Sequence, residues 1–408
     1  MKIETDAAAA GFEAAKLTRI GKHLRQYYVD PGKIAGCQVL VSRHGIPAYF
    51  ESFGLMDRER AKPVQHDTLF RIYSMSKPIT SVALMMLWEE GRFQLTDPVH
   101  RFIPSWRDQQ IWQEGDGDQL VTRRPSVWPT MQHILSHCAG LTYGGLLPGL
   151  ESPVDSLYQS QGIARGDGET LMEFADKLGR VPLLYEPGQK WCYSLATDVC
   201  GALVEIISGQ SFESFLQERI FQPLGMTDTG FRVSDEQLDR FAACYVRSAD
   251  KQLLLEDDPE TSHYRHKRNF FSGGGGLVST TADYAAFCDM LRQGGQFNGY
   301  QLLGRRTLEL MTANHLKGGQ SLAQMALGAF SETTNQGVGF GLGFASTLDE
   351  VDSCTVGAGD FYWGGRASTL FWVDPREDLS VIFMTQLIPS ASFNFRGQLK
   401  SMVYGALK

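Results

Sequence analysis

The sequence predicts an α/β (α+β) fold in which the two ends of the chain build one antiparallel sheet flanked by helices, with a mostly helical domain inserted between them. Three observations predict it. Strand-like runs cluster at residues 36–54 and again at 339–346, 367–375 and 379–386. The stretch from about 98 to 272 instead alternates helical periodicities with polar, Pro- and Gly-rich connections. The chain has 408 residues, 43% hydrophobic, which supports a large core and exceeds what one compact unit usually holds. The expected division is therefore 1–97 with 273–408 as the sheet domain and 98–272 as the insert. The cleft between them is where small-molecule sites usually occur.

Each element follows in order. Residues 11–28 carry apolar positions at helical spacing, and "GCQVLVSRHGIPAYFESFG" (36–54) reads as two strands around a turn at His44-Gly45. A helix follows from about 74 to 90, stopped by Gly91. Its Ile79, Val82, Ala83, Met86 and Leu87 fall at i, i+3, i+4, i+7 and i+8, the stripe of a core-facing helix. In the middle, helices are expected near 130–137, 169–178, 195–208 and 211–221, joined by loops such as "QEGDGDQ", "LLPGLESP" and "ARGDGE". "SGGGGLVSTTADYAAFCDMLRQGG" (272–295) leads into a helix at 281–292. Beyond it, "GFGLGFAS", "ASTLFWVDP" and "LSVIFMTQ" read as strands, the last two divided by the turn signal "PRED", and 394–407 form a closing helix.

Composition removes several functions. Lys and Arg total 38 against 46 acidic residues, for a formal charge of -8, and no basic run stands out beyond short pieces such as "HKR" at 266–268, which argues against nucleic acid as the main partner. The N-terminus mixes charges throughout and lacks the apolar core of a secretory signal, so a cytoplasmic location is expected, and no run is long enough to span a membrane. Seven scattered cysteines read as free thiols. His133 and His137 share an i, i+4 spacing, but no third ligand is apparent, so no metal site is expected.

"FRIYSMSKPIT" (70–80) places Ser74 three residues before Lys77, a spacing that also occurs by chance: "SADK" puts Ser248 three before Lys251. The two differ in context. Pro78 is tolerated only in a first helical turn, which fixes Ser74 at a helix N-terminus, beside free backbone N–H groups and one turn from Lys77. Partly buried there, the ammonium would lose proton affinity and act as base for the serine. Ser74 also fits a plain N-cap, and this segment alone leaves both readings open. Ser248 has no comparable helical stripe after it and reads as a surface turn.

Two further segments bear on the choice. "EPGQKWCYSLATDVCGALVEIISG" sets Tyr193 at the mouth of another helix, where a phenol can exchange a proton with a serine and a leaving group, or simply pack as an amphipathic side chain. "FYWGGRASTLFWVDP" offers Gly364 and Gly365 directly before an apolar strand, allowing close backbone approach to a ligand, although alone it is a turn.

Taken together these boxes resemble the serine β-lactamase and penicillin-binding superfamily over nearly the whole chain, and most closely its family VIII carboxylesterases, related to class C β-lactamases. "HILSHCAGLTY", "PGQKWCYSLATDVCG", "PLGMTDTGF", "GGGGLVSTTADYA" and "WGGRASTLFWVDP" match beside Ser-Met-Ser-Lys. The resemblance implies a β-lactamase/transpeptidase-like fold with Ser74 as nucleophile, Lys77 and Tyr193 managing its proton, and no metal or organic cofactor. Substrate binding falls to the Trp363, Gly364, Gly365 and Arg366 box, with the backbone N–H groups of Ser74 and Arg366 as oxyanion donors. Two departures separate this chain from the β-lactamases. Tyr-x-Asn is Tyr193-Ser194-Leu195 here, and Lys-Thr-Gly is Trp363-Gly364-Gly365, so an amide and a cation are missing. The expected activity is hydrolysis of small carboxylic esters with short acyl chains or aromatic alcohols, the apolar surface of Trp363 and Tyr362 favouring them. The alternatives are acyl transfer to a small-molecule alcohol or weak β-lactamase activity, and, further off, a non-catalytic binding protein on the same scaffold.

Overall fold

The computed structural model describes residues 3–145, 152–163, 168–328 and 336–408. Of the loops expected from sequence, 146–151 of "LLPGLESP" and 164–167 of "ARGDGE" lie outside the described residues. The N-terminal strands are β1 (Gly36–Arg43), β2 (Ile46–Asp57) and β3 (Lys62–Pro63). The C-terminal ones are β4 (Val338–Phe340), β5 (Ala345–Thr347), β6 (Phe361–Gly364), β7 (Leu370–Asp374) and β8 (Leu379–Thr385). They form one eight-stranded sheet in the order β4-β5-β6-β7-β8-β1-β2-β3. Every neighbouring pair is antiparallel.

Local chemistry explains the hairpins. His44 and Gly45 both take positive φ (56° and 74°), as the two-residue turn whose twist matches the flanking strands requires. The "PRED" turn is held by Asp374, whose Oδ1 accepts from the backbone N–H groups of Arg376 and Glu377.

Helices cover both faces. On the outer face lie α1 (Ala14–Leu24) and the closing helix, Phe395–Tyr404. On the inner face lie α2 (Ser76–Glu89) and a helix at Thr281–Arg292 that packs on β7, β8 and β1. Strand parity sorts the side chains between them. Phe371 meets Tyr284 on the inner face at 5.1 Å between centroids, and Phe383 meets Phe395 on the outer face at 4.8 Å.

Structure and expectation differ in two places. The stripe read on α2 is too narrow, because every residue from Ser76 to Leu87 is buried. A helix apolar on all sides belongs in the middle of a core, and this one packs on the helix Ala196–Ser208 and, at Ser81, against Gly343 in the turn between β4 and β5. The middle of the chain also contains strands: Ile111–Glu114 pairs with Val121–Arg123, and Cys244–Arg247 lies between Leu253–Asp257 and Leu387–Ile388 in a three-stranded sheet. Leu254 and Leu255 are both exposed, so that strand shows no alternation to read. Ser248 sits in the turn of this hairpin, its hydroxyl bonded to Asp250 and to the Gln252 carbonyl. Among the described residues no helix is long and apolar enough to cross a membrane.

Candidate active site

The site is built at the N-terminus of α2. A 3-10 turn, Tyr73–Met75, leads into the helix, and Pro78 stands in the first turn, where its missing N–H costs nothing. Neither the turn nor the helix has a side-chain cap, so the Ser74 hydroxyl is not spent on capping. It accepts from Tyr193 Oη at 2.7 Å and from Lys77 Nζ at 3.1 Å. Tyr73, directly before it, has φ of 42°, a left-handed conformation that a bulky residue rarely adopts. Its ring packs against Cys244, Ala367 and Ile388, which hold it there.

Lys77 is 1% exposed. Besides Ser74, its Nζ donates to the Gly274 carbonyl at 2.6 Å and to Tyr143 Oη at 3.4 Å, and it lies 4.6 Å from the Tyr193 ring centroid. Tyr193 precedes the helix Ala196–Ser208, and its ring is stacked on Tyr143 at 5.1 Å with 14° between planes.

Behind Tyr193 stands His137, 2% exposed and in a left-handed conformation (φ 57°). Its Nδ1 accepts from the Ser194 backbone N–H at 3.3 Å and pairs with Ser194 Oγ at 3.0 Å, while Nε2 faces Thr197 Oγ1 at 3.5 Å. Burial, and secondarily the charge of Lys77, pushes its pKa well below the ordinary histidine value. A neutral His137 therefore holds the Tyr193 segment by hydrogen bonds. His133 points elsewhere: its Nδ1 accepts from the Thr130 N–H, a different task from that of His137, and among the described residues no cluster of three His, Cys, Asp or Glu stands ready for a metal. The nearby thiols are poor nucleophiles, since burial pushes Cys138 up to about 11 and Cys192 up to about 12.

The glycine box comes from β6 and the turn after it. Gly364 ends the strand, paired with Leu370, and Gly365 donates to the Thr369 carbonyl at 2.7 Å. A Cβ on Gly365 would stand 2.5 Å from the Ile72 carbonyl oxygen, so glycine is what lets this turn sit against the segment that carries Ser74. Arg366 follows and is exposed. Trp363 is 1% exposed, its ring tilted against Tyr193 at 5.4 Å and edge-on to Phe340 at 5.3 Å.

The fold thus brings Ser74, Lys77 and Tyr193 into one hydrogen-bonded group, with Trp363 behind Tyr193 and Gly364-Gly365 against the nucleophile's segment. Tyr362 does not join them. Strand parity turns it to the outer face, beneath Arg396 at 4.4 Å, which corrects the expectation that it extends the apolar surface of Trp363. Tyr143 and the Gly274 carbonyl belong to the site and were not singled out from sequence. Tyr143 lies within "HILSHCAGLTY", but nothing in that segment points at Lys77, and a backbone carbonyl leaves no residue-type signal.

Three comparisons with known proteins bear on the family of this chain. Residues 23–399 match the family described as Beta-lactamase. The chain is 33% identical to the esterase EstB of Burkholderia gladioli over 400 residues, 93% of each protein, and 27% identical to the acyltransferase calJ of Penicillium decumbens over 350 residues, 81% of this chain and 78% of the other. Among solved structures it is similar to "EstCE1, a hydrolase with promiscuous acyltransferase activity", with TM-score 0.79, 30% identity, and 96% and 99% of the two chains covered.

Proposed function

The chain belongs to the beta-lactamase family and is a serine hydrolase that cleaves esters or transfers their acyl groups, and from that premise we propose a carboxylesterase working through an acyl-enzyme on Ser74. The observation that carries this reading is the convergence of two proton-carrying side chains on one hydroxyl, Tyr193 at 2.7 Å and Lys77 at 3.1 Å. Ser74 Oγ attacks the ester carbonyl carbon as its proton passes to Lys77 Nζ. The backbone N–H groups of Ser74 and Arg366 receive the negative charge that develops on the carbonyl oxygen. When the carbon–oxygen bond to the alcohol breaks, Tyr193 Oη gives the departing oxygen a proton and regains one from Lys77. Water then repeats the sequence in reverse and frees the acid.

The same reading assigns Ser74 and Lys77 to a sheet domain, 1–97 with 273–408, and Tyr193 to an inserted domain, 98–272, with a small-molecule ester held between them. A second reading, in which an alcohol replaces water at the last step, is supported by the likeness to calJ and EstCE1. Added alcohol separates the two: an acyltransferase partitions its acyl-enzyme toward the new ester at millimolar acceptor, and an esterase toward the acid.

A fluorophosphonate probe tests the nucleophile. It is expected to label the peptide containing Ser74, and Ser74→Ala is expected to lose at least about a thousandfold in kcat on 4-nitrophenyl butyrate. Ser248→Ala should match the parent, and labelling at Ser248 would overturn the assignment.

A further inference from the structure

Among the described residues, the shortest hydrogen bond made by Lys77 is not to the serine but to the Gly274 carbonyl, at 2.6 Å. That glycine is itself held. Its N–H donates to Asp198 Oδ1 at 3.0 Å, and the same oxygen accepts from Ser272 Oγ at 2.6 Å. Asp198 stands in the first turn of the helix Ala196–Ser208, is 1% exposed, and has no hydrogen-bond partner on Oδ2. A Cβ on Gly274 would lie 2.8 Å from that Oδ2, and one on Gly273 would lie 2.6 Å from the Thr197 carbonyl oxygen. The glycine run therefore lies directly on the start of this helix, and Thr80 pins it from the other side by donating to the Gly273 carbonyl at 2.8 Å.

We propose that Asp198 is a positioning residue for ester cleavage, holding the Gly274 peptide so that its carbonyl fixes the Lys77 amine on Ser74, and lending a buried negative charge to the ammonium that forms there. The proposal rests on the reading of Lys77 as proton acceptor. A neutral amine has two N–H bonds and one lone pair. With one N–H on Gly274 O and the other toward Tyr143 Oη, the lone pair is left for the Ser74 hydroxyl proton. A carbonyl has no charge to offer the ammonium that results, and burial makes a cation costly. The carboxylate, which holds the same glycine by its N–H, offsets that cost without pairing directly with Lys77 and locking it in the charged form. Titratable groups that face Lys77 among the described residues include the phenols of Tyr143 and Tyr193 and the neutral imidazole of His137.

Asp198→Asn keeps the shape and an oxygen for the Gly274 N–H but removes the charge, whereas Asp198→Ala removes both. With 4-nitrophenyl acetate, Asp198→Asn is expected to move the acidic limb of the kcat–pH profile to lower pH by about one unit, because the amine loses its proton more readily without the carboxylate. Asp198→Ala is expected to lower kcat by about ten- to a hundredfold with KM within about threefold. An acidic limb unmoved in a folded Asp198→Asn protein overturns the proposal. If neither variant folds, Ser272→Ala decides: kcat lowered by about threefold or more at unchanged KM supports it, and an unchanged kcat overturns it. Lys77→Ala in parallel separates the two ideas, since retained activity there removes the reading of Lys77 itself, while an inactive Lys77→Ala beside an unshifted Asp198→Asn removes only the role of Asp198.

Discussion

Leu195 and Trp363 occupy the two positions where the β-lactamase pattern has an amide and a cation, and both are buried, at 4% and 1% exposure. A β-lactam presents a carboxylate and a side-chain amide, each of which needs a polar partner, and neither residue supplies a fixed charge or an amide. Loss of one charge-assisted hydrogen bond costs about 1.5 to 3 kcal/mol, so loss of both contacts lowers kcat/KM by a few orders of magnitude. Hydrolysis of 4-nitrophenyl acetate or butyrate is expected to exceed that of nitrocefin by about a thousandfold or more in kcat/KM. Equal values on the two substrates would show that these positions do not set selectivity. At this scale the sequence was legible wherever chemistry depends on residue type at short spacing, as for Ser74 and Lys77. It was silent on Tyr143 and Gly274, which meet Lys77 only through space. Tyr362 was misread for a simpler reason: adjacent residues of a strand face opposite ways, and Trp363 had already taken the inner face.

The helices near the site show how an element can tie function to pH. Met131–Leu135 opens with a capping box in which Thr130 accepts from the His133 N–H and His133 Nδ1 accepts from the Thr130 N–H. A histidine does here what Glu or Gln usually does, and it can accept only while Nδ1 is unprotonated. Burial lowers its pKa to about 4, so below the ordinary value of 6.5 the unfolded chain takes up a proton that the folded chain refuses. Stability from this group is full above pH 6.5 and is lost as pH falls toward 4. His137 acts in the same direction. Asp283, raised to about 6 by burial, opposes them, because its folded form is relieved by protonation. In urea titrations at pH 7 and 4.5, His133→Gln is expected to lose about 2 kcal/mol less than the parent over that interval; equal losses would show that the cap does not titrate. The turn at Gly365 gives a second test. Gly365→Ala places a methyl against the Ile72 backbone, and kcat on 4-nitrophenyl acetate is expected to fall at least about tenfold as the turn is pushed off the Ser74 segment. Hairpins and amphipathic helices were readable from alternation and periodicity, whereas the three-stranded sheet was not, since its edge strand exposes consecutive leucines.

For the molecule as a whole, the order of strands matters more than their number. The N-terminal hairpin and the C-terminal strands were visible as separate clusters, and their union in one sheet followed from the need to bury both. The register that joins them was not visible. Val39 lies opposite Phe383, so the seam at the centre of the sheet is closed by residues more than three hundred positions apart. Closing so long a loop is entropically costly and slow compared with forming local helices. On refolding from urea, activity on 4-nitrophenyl acetate is expected to return only with the slowest phase of tryptophan fluorescence, because Trp372 sits beside that seam on β7, opposite Val381 of β8. Activity returning ahead of that phase would mean that the catalytic group assembles without the sheet.

The seam between β1 and β8 also sets a schedule for synthesis on the ribosome. Ser74 and Lys77 emerge before Tyr193, and β8, which closes the seam on β1, is translated after all three. Until residues 379–385 leave the exit tunnel, β1 has an unpaired edge on the side that β8 will fill, and such edges recruit other strands. Between the emergence of β1 and that of β8 the nascent chain is therefore open to misassembly, and turnover of an ester is expected only once β8 has joined the sheet. A ribosome-stalled chain ending before residue 379 should accordingly be inactive and depend on chaperones, and release of the full chain should restore both solubility and turnover together.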